Sequence, residues 1–234
     1  MKIDLCIPAY NEAPIIAHSV STIRSALPQL PGVSWRLMVV DNASSDGTGD
    51  IVRALALPDV EVLFVSKKGK GAAIHAAALA SKADLFGYID ADLSASPACL
   101  AQLLHAILAG NDIAVGSRLM RGATVSRTGL RTFSSEVFNY LRSVLVGVQV
   151  EDVSCGLKLT NAEGRDVLRL CQETGWFLDM EWLSLSQKRG LRIVEVPIEW
   201  VEQFYPDRKS KLSVVRDGLK ALVAFVRIRR RISQ

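Results

Sequence analysis

The chain has 234 residues, of which 49% are hydrophobic and 22% charged, with a formal net charge of +4. That length suits one domain with a substantial core, and that composition excludes wholesale disorder. The small positive balance does not argue for nucleic acid, and no apolar run is long enough to span a bilayer. Cys6, Cys99, Cys155 and Cys171 are scattered without a C-x-x-C pair, so neither a disulfide framework nor a zinc site is expected and a reducing cytosol is the default. Met1-Lys2 runs straight into a strand-like segment that stops at Pro8, which argues against a signal peptide.

Ile3 to Pro8 reads as a first strand, followed by the polar turn Pro8-Ala9-Tyr10-Asn11-Glu12 and by helical spacing from Pro14 to Leu27. Trp35 to Asp41 is a second strand ending in a carboxylate. Asn42 to Thr48 then carries turn and cap residues that open a helix over Ile51 to Leu57. Val60 to Val65 is a third strand, and Lys67-Lys68-Gly69-Lys70-Gly71 leads into an alanine-rich helix, Ala72 to Ser81. Next comes the apolar run Phe86-Gly87-Tyr88-Ile89, which ends in Asp90-Ala91-Asp92. A helix over Pro97 to Leu108 and a strand over Asp112 to Gly116 complete the first half.

Five strand–helix alternations predict an α/β fold with a mostly parallel sheet covered on both faces. In such sheets ligands bind outside the carboxyl ends of the strands, where Asp41, Asp90, Asp92 and Arg118 all fall. Asp90 and Asp92 project to one side of an extended chain and repel each other, which a divalent cation would relieve. Mg²⁺ commonly joins one or two carboxylates to substrate phosphates and water, so this stretch is expected to hold a diphosphate through a metal. The plain alternative is a solvated Asp-X-Asp turn. Lys70 beside a helix N-terminus favours an anion, although a solvated loop lysine needs no such explanation.

The second half is less regular. Leu130 to Leu145 has helical spacing with Arg131, Ser135 and Asn139 on one face. Glu163 to Cys171 and Leu178 to Lys188 read as helices, Leu191 to Ile198 as a strand, and Val201 to Ser210 as a polar loop. From Leu212 to the end an amphipathic helix carries Arg227, Arg229, Arg230 and Arg231, so the division expected is a domain over 1–211 and a basic helix over 212–234. That helix suits an anionic membrane surface, or it packs on the domain's own core.

The motifs Pro8-Ala9-Tyr10-Asn11-Glu12, Val40-Asp41-Asn42 through Thr48, Lys70-Gly71, Asp90-Ala91-Asp92 and Gly116-Ser117-Arg118 occur in an order and spacing that resemble the family 2 glycosyltransferases of GT-A fold. Asp152-Val153-Ser154-Cys155-Gly156-Leu157-Lys158, Gly175 to Glu181, and Ser210-Lys211-Leu212 are similar to the dolichyl- or polyprenyl-phosphate hexose synthases. The resemblance implies that Pro8, Ala9, Tyr10 and Glu12 line the base and ribose pocket and that Asp41 contacts base or ribose. It implies that Asp90, with Ala91 beside it, lies close to nucleotide and sugar, and that Lys70 and Lys211 face the donor phosphates. Asp92 would ligate Mg²⁺ or Mn²⁺, with Asp90 or Ser94 as further candidates. Arg118 and Arg131, with Ser135, would hold the acceptor phosphate. Asp179 and Glu181 would face the donor sugar, though as first-turn carboxylates they also suit the helix dipole.

Several positions depart from the family pattern. Asn42 stands where a second acidic residue is common, Ser94 where mannosyl members carry a glutamine, and Tyr205 where they carry an arginine, with Arg208 close by. Asn42 is a common variation that leaves the pocket plausible; Ser94 and Tyr205, together with Asp179, favour a UDP-sugar such as UDP-glucose over GDP-mannose. The activity implied is inverting, metal-dependent transfer of a hexose from a nucleotide sugar to polyprenyl or dolichyl phosphate, at the cytoplasmic face of a membrane. A membrane-protein partner is a further expectation. A GT-A enzyme with a protein, glycan or small-molecule acceptor, and a non-catalytic nucleotide-sugar-binding subunit, are the alternatives.

Overall fold

The computed structural model describes residues 1–126, 147–202 and 224–232. The expected helix over 130–145, with Arg131 and Ser135, the loop from residue 203 and Lys211 lie outside them. Within the described residues the first half alternates strand and helix: β1 (Lys2–Ala9), α1 (Ile16–Ala26), β2 (Ser34–Asp41), α2 (Thr48–Ala54), β3 (Val60–Phe64), α3 (Lys70–Ala80), β4 (Leu85–Ile89), α4 (Leu100–Leu108) and β5 (Ile113–Ser117). After them come β6 (Thr124–Ser126), β7 (Leu157–Thr160), helices Ala162–Leu170 and Leu178–Lys188, β8 (Ile193–Pro197) and β9 (Glu199–Val201).

The central sheet has seven strands in the order β3-β2-β1-β4-β7-β5-β8. All neighbours run parallel except β7, which is antiparallel to both β4 and β5. β7 enters between β4 and β5, a strand that the five expected alternations did not include. It is four residues long and follows a polar turn, too short for periodicity to mark it. A two-stranded parallel ribbon, β6 with β9, lies apart from the main sheet.

Alternation along the strands divides the core into two layers. Leu5 and Ile7 of β1 and Ile89 of β4 join Ile16, Val20, Leu100 and Leu103 on the side of α1 and α4. Cys6 of β1 and Phe86 and Tyr88 of β4 point the other way, to α3 and the helices Ala162–Leu170 and Leu178–Lys188. The four cysteines are free and buried. Helix α2 opens three residues before the expected start, because Gly47 turns the chain at φ +83° and Asp46 Oδ1 accepts from the amide and hydroxyl of Thr48.

Residues 224–232 are helical and pack on the domain: Ala224, Phe225 and Ile228 are buried, and Arg227 and Arg231 form ion pairs with Glu173 and Glu181. Two of the four clustered arginines therefore face protein. Among the described residues no helix is long and apolar enough to cross a membrane.

Strand order reverses between β1 and β4, whose carboxyl ends open a crevice. Close packing of β4 on β7 holds this edge, since a Cβ on Gly87 would lie 2.6 Å from the Lys158 carbonyl oxygen and 2.9 Å from Leu159 Cδ1. Gly87→Ala is expected to lower stability by about 1–3 kcal/mol through overpacking, read as a lower urea midpoint at unchanged slope.

Candidate active site

Three strand ends and the start of one helix build the crevice. At the end of β1, the Ala9 carbonyl accepts from the Asn42 amide at 2.8 Å, and the Glu12 amide donates to the Thr48 hydroxyl at 2.9 Å. Asp41, at the end of β2, is buried and accepts from the Ser44 amide at 3.0 Å. Gly49 of α2 leaves it room, because a Cβ there would stand 2.5 Å from Asp41 Oδ2. Pro8, Ala9, Tyr10, Glu12 and Asp41 are thus brought to one wall.

Asn42 ties that wall to the next segment. Its Nδ2 donates to the Lys67 carbonyl and its Oδ1 accepts from the Gly69 amide, each at 2.6 Å. An aspartate could accept from Gly69 but could not donate to Lys67. Lys68 reaches across to Tyr10, 2.9 Å from its hydroxyl and 4.8 Å from its ring centroid.

Lys70, the first residue of α3, places Nζ 2.7 Å from Asp90 Oδ1. The same ammonium lies 5.3 Å from the Tyr88 ring centroid and 5.6 Å from that of Trp176. Burial alone would lower its pKa, but Asp90 and Asp179 outweigh burial and raise it, so the cation persists at neutral pH. Asp90 moves up as well: burial dominates, Lys70 opposes it, and the neighbouring Asp92 adds to the rise. Gly156 packs against Asp90, donating no side chain, since any Cβ would collide with the carboxylate; the Asp90 amide also donates to the Gly156 carbonyl at 2.9 Å. Asp92 Oδ1 accepts from the Ser94 amide at 3.1 Å, and Leu93 between them holds φ +55°. A left-handed leucine stores strain, which is common at sites where the backbone must aim side chains.

A model of glycosyl transferase family 2 matches residues 4–167. The chain belongs to that family. It is 29% identical over 225 residues to glycosyltransferase AglD of Haloferax volcanii, covering 94% of this chain and 35% of that one. Identity is 32% over 222 residues to dolichyl-phosphate beta-glucosyltransferase ALG5C of Trichomonas vaginalis, covering 88% and 65%. It is again 32% over 225 residues to the polyprenol monophosphomannose synthase of Mycolicibacterium smegmatis, covering 91% and 82%. The chain therefore spans 35% and 65% of the length of the first two relatives. Glucosyl-3-phosphoglycerate synthase of Mycobacterium tuberculosis, crystallised with Mn²⁺, UDP-glucose and phosphoglyceric acid, shares the fold at TM-score 0.68 and 19% identity, over 99% of this chain and 79% of that one. The fold is GT-A.

In this family 2 chain the remaining candidate residues divide. Arg118, just past β5, forms a bidentate pair with Asp152 at 2.7 Å through both Nε and Nη2, and Nη2 also reaches Ser154 Oγ at 3.0 Å. Its guanidinium lies 5.5 Å from the Trp200 ring centroid. Asp179 is buried beneath the crevice, accepting from the Tyr88 hydroxyl, with Lys158 Nζ at 3.4 Å. Lys158 is fully buried on β7 and donates to Tyr88 Oη and to the carbonyls of Val153 and Cys155. Glu181 faces elsewhere than the expected sugar pocket: one oxygen accepts from the amides of Gln172 and Glu173, and the other from Arg231. Facing the donor sugar is thus not a role these contacts support for Glu181.

Lys158, Tyr88, Asp152 and Asn42 stand in stretches that the sequence marks, but it assigned none of them a side-chain partner in the site. A lysine inside the otherwise apolar Leu157–Leu159 step of a strand, and a tyrosine two residues before Asp90 on the same face, were the available signals.

Among the described residues no group of three or more histidine, cysteine or acidic side chains is arranged to hold a metal ion. The donor set nevertheless fits a hard cation of the Mg²⁺ or Mn²⁺ kind. Asp92, two residues beyond Asp90, would supply carboxylate oxygen to that cation, and Asp90, seated in the space Gly156 leaves, directs one oxygen to Lys70. Such an ion completes its shell with phosphate oxygens and water.

Burial alone would raise the Asp152 pKa, but Arg118 pulls it below the ordinary value of 3.8. A lowered carboxylate pKa adds stability that is complete above the ordinary value and is lost as pH falls through the lower folded-state one. Asp152→Asn is expected to cost about 1.5–3 kcal/mol at neutral pH. Urea titrations of both chains should show the gap closing as pH drops below about 4. A gap unchanged with pH would mean that Asp152 is not held as the anion.

Proposed function

We propose that this chain transfers a hexose from a nucleoside diphosphate sugar to polyprenyl or dolichyl phosphate, with inversion at the anomeric carbon and with Mg²⁺ or Mn²⁺ bound. The observation that carries this reading is the Lys70–Asp90 pair beside Asp92 at the point where strand order reverses, the place where α/β sheets take phosphorylated ligands. Relatives named as acting on dolichyl phosphate and as polyprenol monophosphomannose synthase support the lipid acceptor.

The side chains divide the work. Pro8, Ala9, Tyr10, Glu12 and Asp41 form the nucleoside wall, and Lys68 and Lys70, with Lys211, supply cations toward the diphosphate. Asp92 would hold the ion, with Asp90 and Ser94 next to it; the ion supplies charge neutralisation on the departing diphosphate. Lys70 stabilises the same developing charge from a fixed position. The acceptor is already an anionic phosphate, so it needs no strong base. Its oxygen forms the new bond to the anomeric carbon as the bond to the diphosphate breaks, and one displacement inverts the centre. Arg118, Arg131 and Ser135 are proposed to hold that phosphate, guanidinium being suited to it. Arg118 would present the edge that Asp152 and Ser154 leave.

UDP-glucose is the preferred donor on the residues Asp179 and Ser94, and relatives of both the glucosyl and the mannosyl kind stand at the same 32% identity. A prenyl acceptor stays in the bilayer, so the enzyme would work peripherally at the cytoplasmic face. Nothing among the described residues points to a membrane-protein partner.

The test is purified chain with Mn²⁺, UDP-glucose or GDP-mannose, and either a short polyprenyl phosphate or the matching prenol. Inverted glycosyl phosphate is expected with the phosphate alone. Asp92→Ala should lower turnover at least about a hundredfold with an unchanged melting curve. Transfer to the prenol, or full activity of the variant, would defeat the reading.

A further inference from the structure

The C-terminal helix reaches the crevice through one turn of chain, Gln172 to Trp176. On the helix side, Arg227 Nε lies 2.7 Å from Glu173 Oε1 and its Nη2 donates to Glu173 Oε2 at 3.0 Å. Arg231 Nη1 sits 2.8 Å from Glu181 Oε1 and 3.5 Å from Glu173 Oε1. Glu181 grips the turn from below, its Oε2 accepting from the amides of Gln172 at 2.9 Å and Glu173 at 2.7 Å. Buried Phe225 meets Phe177, at the end of the turn, edge to face at 6.2 Å. Both glutamates are buried, so their charges need these arginines.

On the crevice side the same turn lies on the N-terminus of α3. The Thr174 carbonyl accepts from the Ala72 amide at 2.9 Å, one of the amides a helix start leaves unpaired. Gly69 has no room for a Cβ beside the Thr174 carbonyl, and a Cβ on Gly71 would stand 2.7 Å from the Gly175 carbonyl oxygen. Trp176 then flanks the Lys70 ammonium. Lys70 is thus fixed between a turn that the C-terminal helix holds and the carboxylate of Asp90.

We propose that the C-terminal helix is a strut of the donor site, and that Arg227 and Arg231 are positioning residues. Through Glu173 and Glu181 they hold the Gln172–Trp176 turn on the start of α3 and so set Lys70 against Asp90. Two arginines of the terminal cluster serve the diphosphate site from behind, while Arg230 on the same helix is exposed and is not part of the device. The ligand in this proposal rests on the nucleotide-sugar reading above; the strut itself does not.

The experiment compares wild type with Arg227→Met, the Arg227→Met/Arg231→Met double variant, Arg227→Lys/Arg231→Lys, and Arg230→Met. Two quantities are read: hydrogen-exchange protection of the Ala72 amide, and affinity for UDP and for GDP with Mn²⁺ by calorimetry. Arg227 is half-exposed, so its single variant should keep the fold and serves if the double variant does not. Expected are faster exchange at Ala72 and about tenfold weaker nucleotide binding in the methionine variants, partial recovery with lysine, and wild-type behaviour for Arg230→Met. Wild-type protection at Ala72 in the methionine variants overturns the strut. So does an equal loss of affinity in Arg230→Met. If wild type binds neither nucleotide, the functional reading fails, and the exchange data alone still decide the strut.

Discussion

The ion pair between Lys70 and Asp90 governs the architecture of the crevice. A buried ammonium is costly unless a carboxylate meets it, and Asp90 in turn sits beside a second carboxylate, Asp92, two residues on. Lys70 and Asp90 make each other's charge tolerable, while Asp92 works against the charge on Asp90. The glycines follow from this: Gly156 clears space for Asp90, and Gly69 and Gly71 let a neighbouring turn close on the lysine. A site so constrained holds a fixed cation beside two carboxylates, with little left to reorganise.

Beneath that pair lies a second, drier layer. Tyr88 donates to Asp179 and accepts from Lys158, whose remaining bonds go to the carbonyls of the 153–155 turn. Lys158 therefore ties β7 to the loop that carries Gly156, and so to Asp90. On the other flank Asp152 engages Arg118, and Glu195 caps the amides of Glu151 and Asp152. The antiparallel strand β7 belongs to this logic. Entering between β4 and β5, it brings the 152–156 turn alongside the acidic strand end, which a purely parallel order would not do.

The charges at the chain's end change meaning once their partners are visible. Read along the helix, Arg227 and Arg231 look like part of a basic face for headgroups. In the fold they neutralise two buried glutamates fifty-odd residues away in sequence, and the apolar side of the helix covers Phe177 and its neighbours. Glu181 is the matching case: its place in the first turn of a helix is visible in sequence, but its work is to hold backbone amides of a preceding turn.

Much of the first half was legible from residues alone. The apolar runs in Ile3 to Ile7 and Trp35 to Val40, helical spacing after Pro14, and the turn chemistry around Gly47 are short-range properties. They depend on neighbours within a few positions, and they placed Asp41, Asp90, Asp92 and Arg118 at strand ends. What lay beyond reach were the pairings: Lys70 with Asp90, Arg118 with Asp152, Asn42 with the 67–69 loop, the insertion of β7, the docking of the last helix. Each joins residues between 20 and 74 positions apart, and a charge or a short strand carries no local mark of its partner. Sequence settled where chemistry could occur, because periodicity and turns are local; tertiary structure settled which charges meet which partners, because burial and distance exist only once the chain is folded.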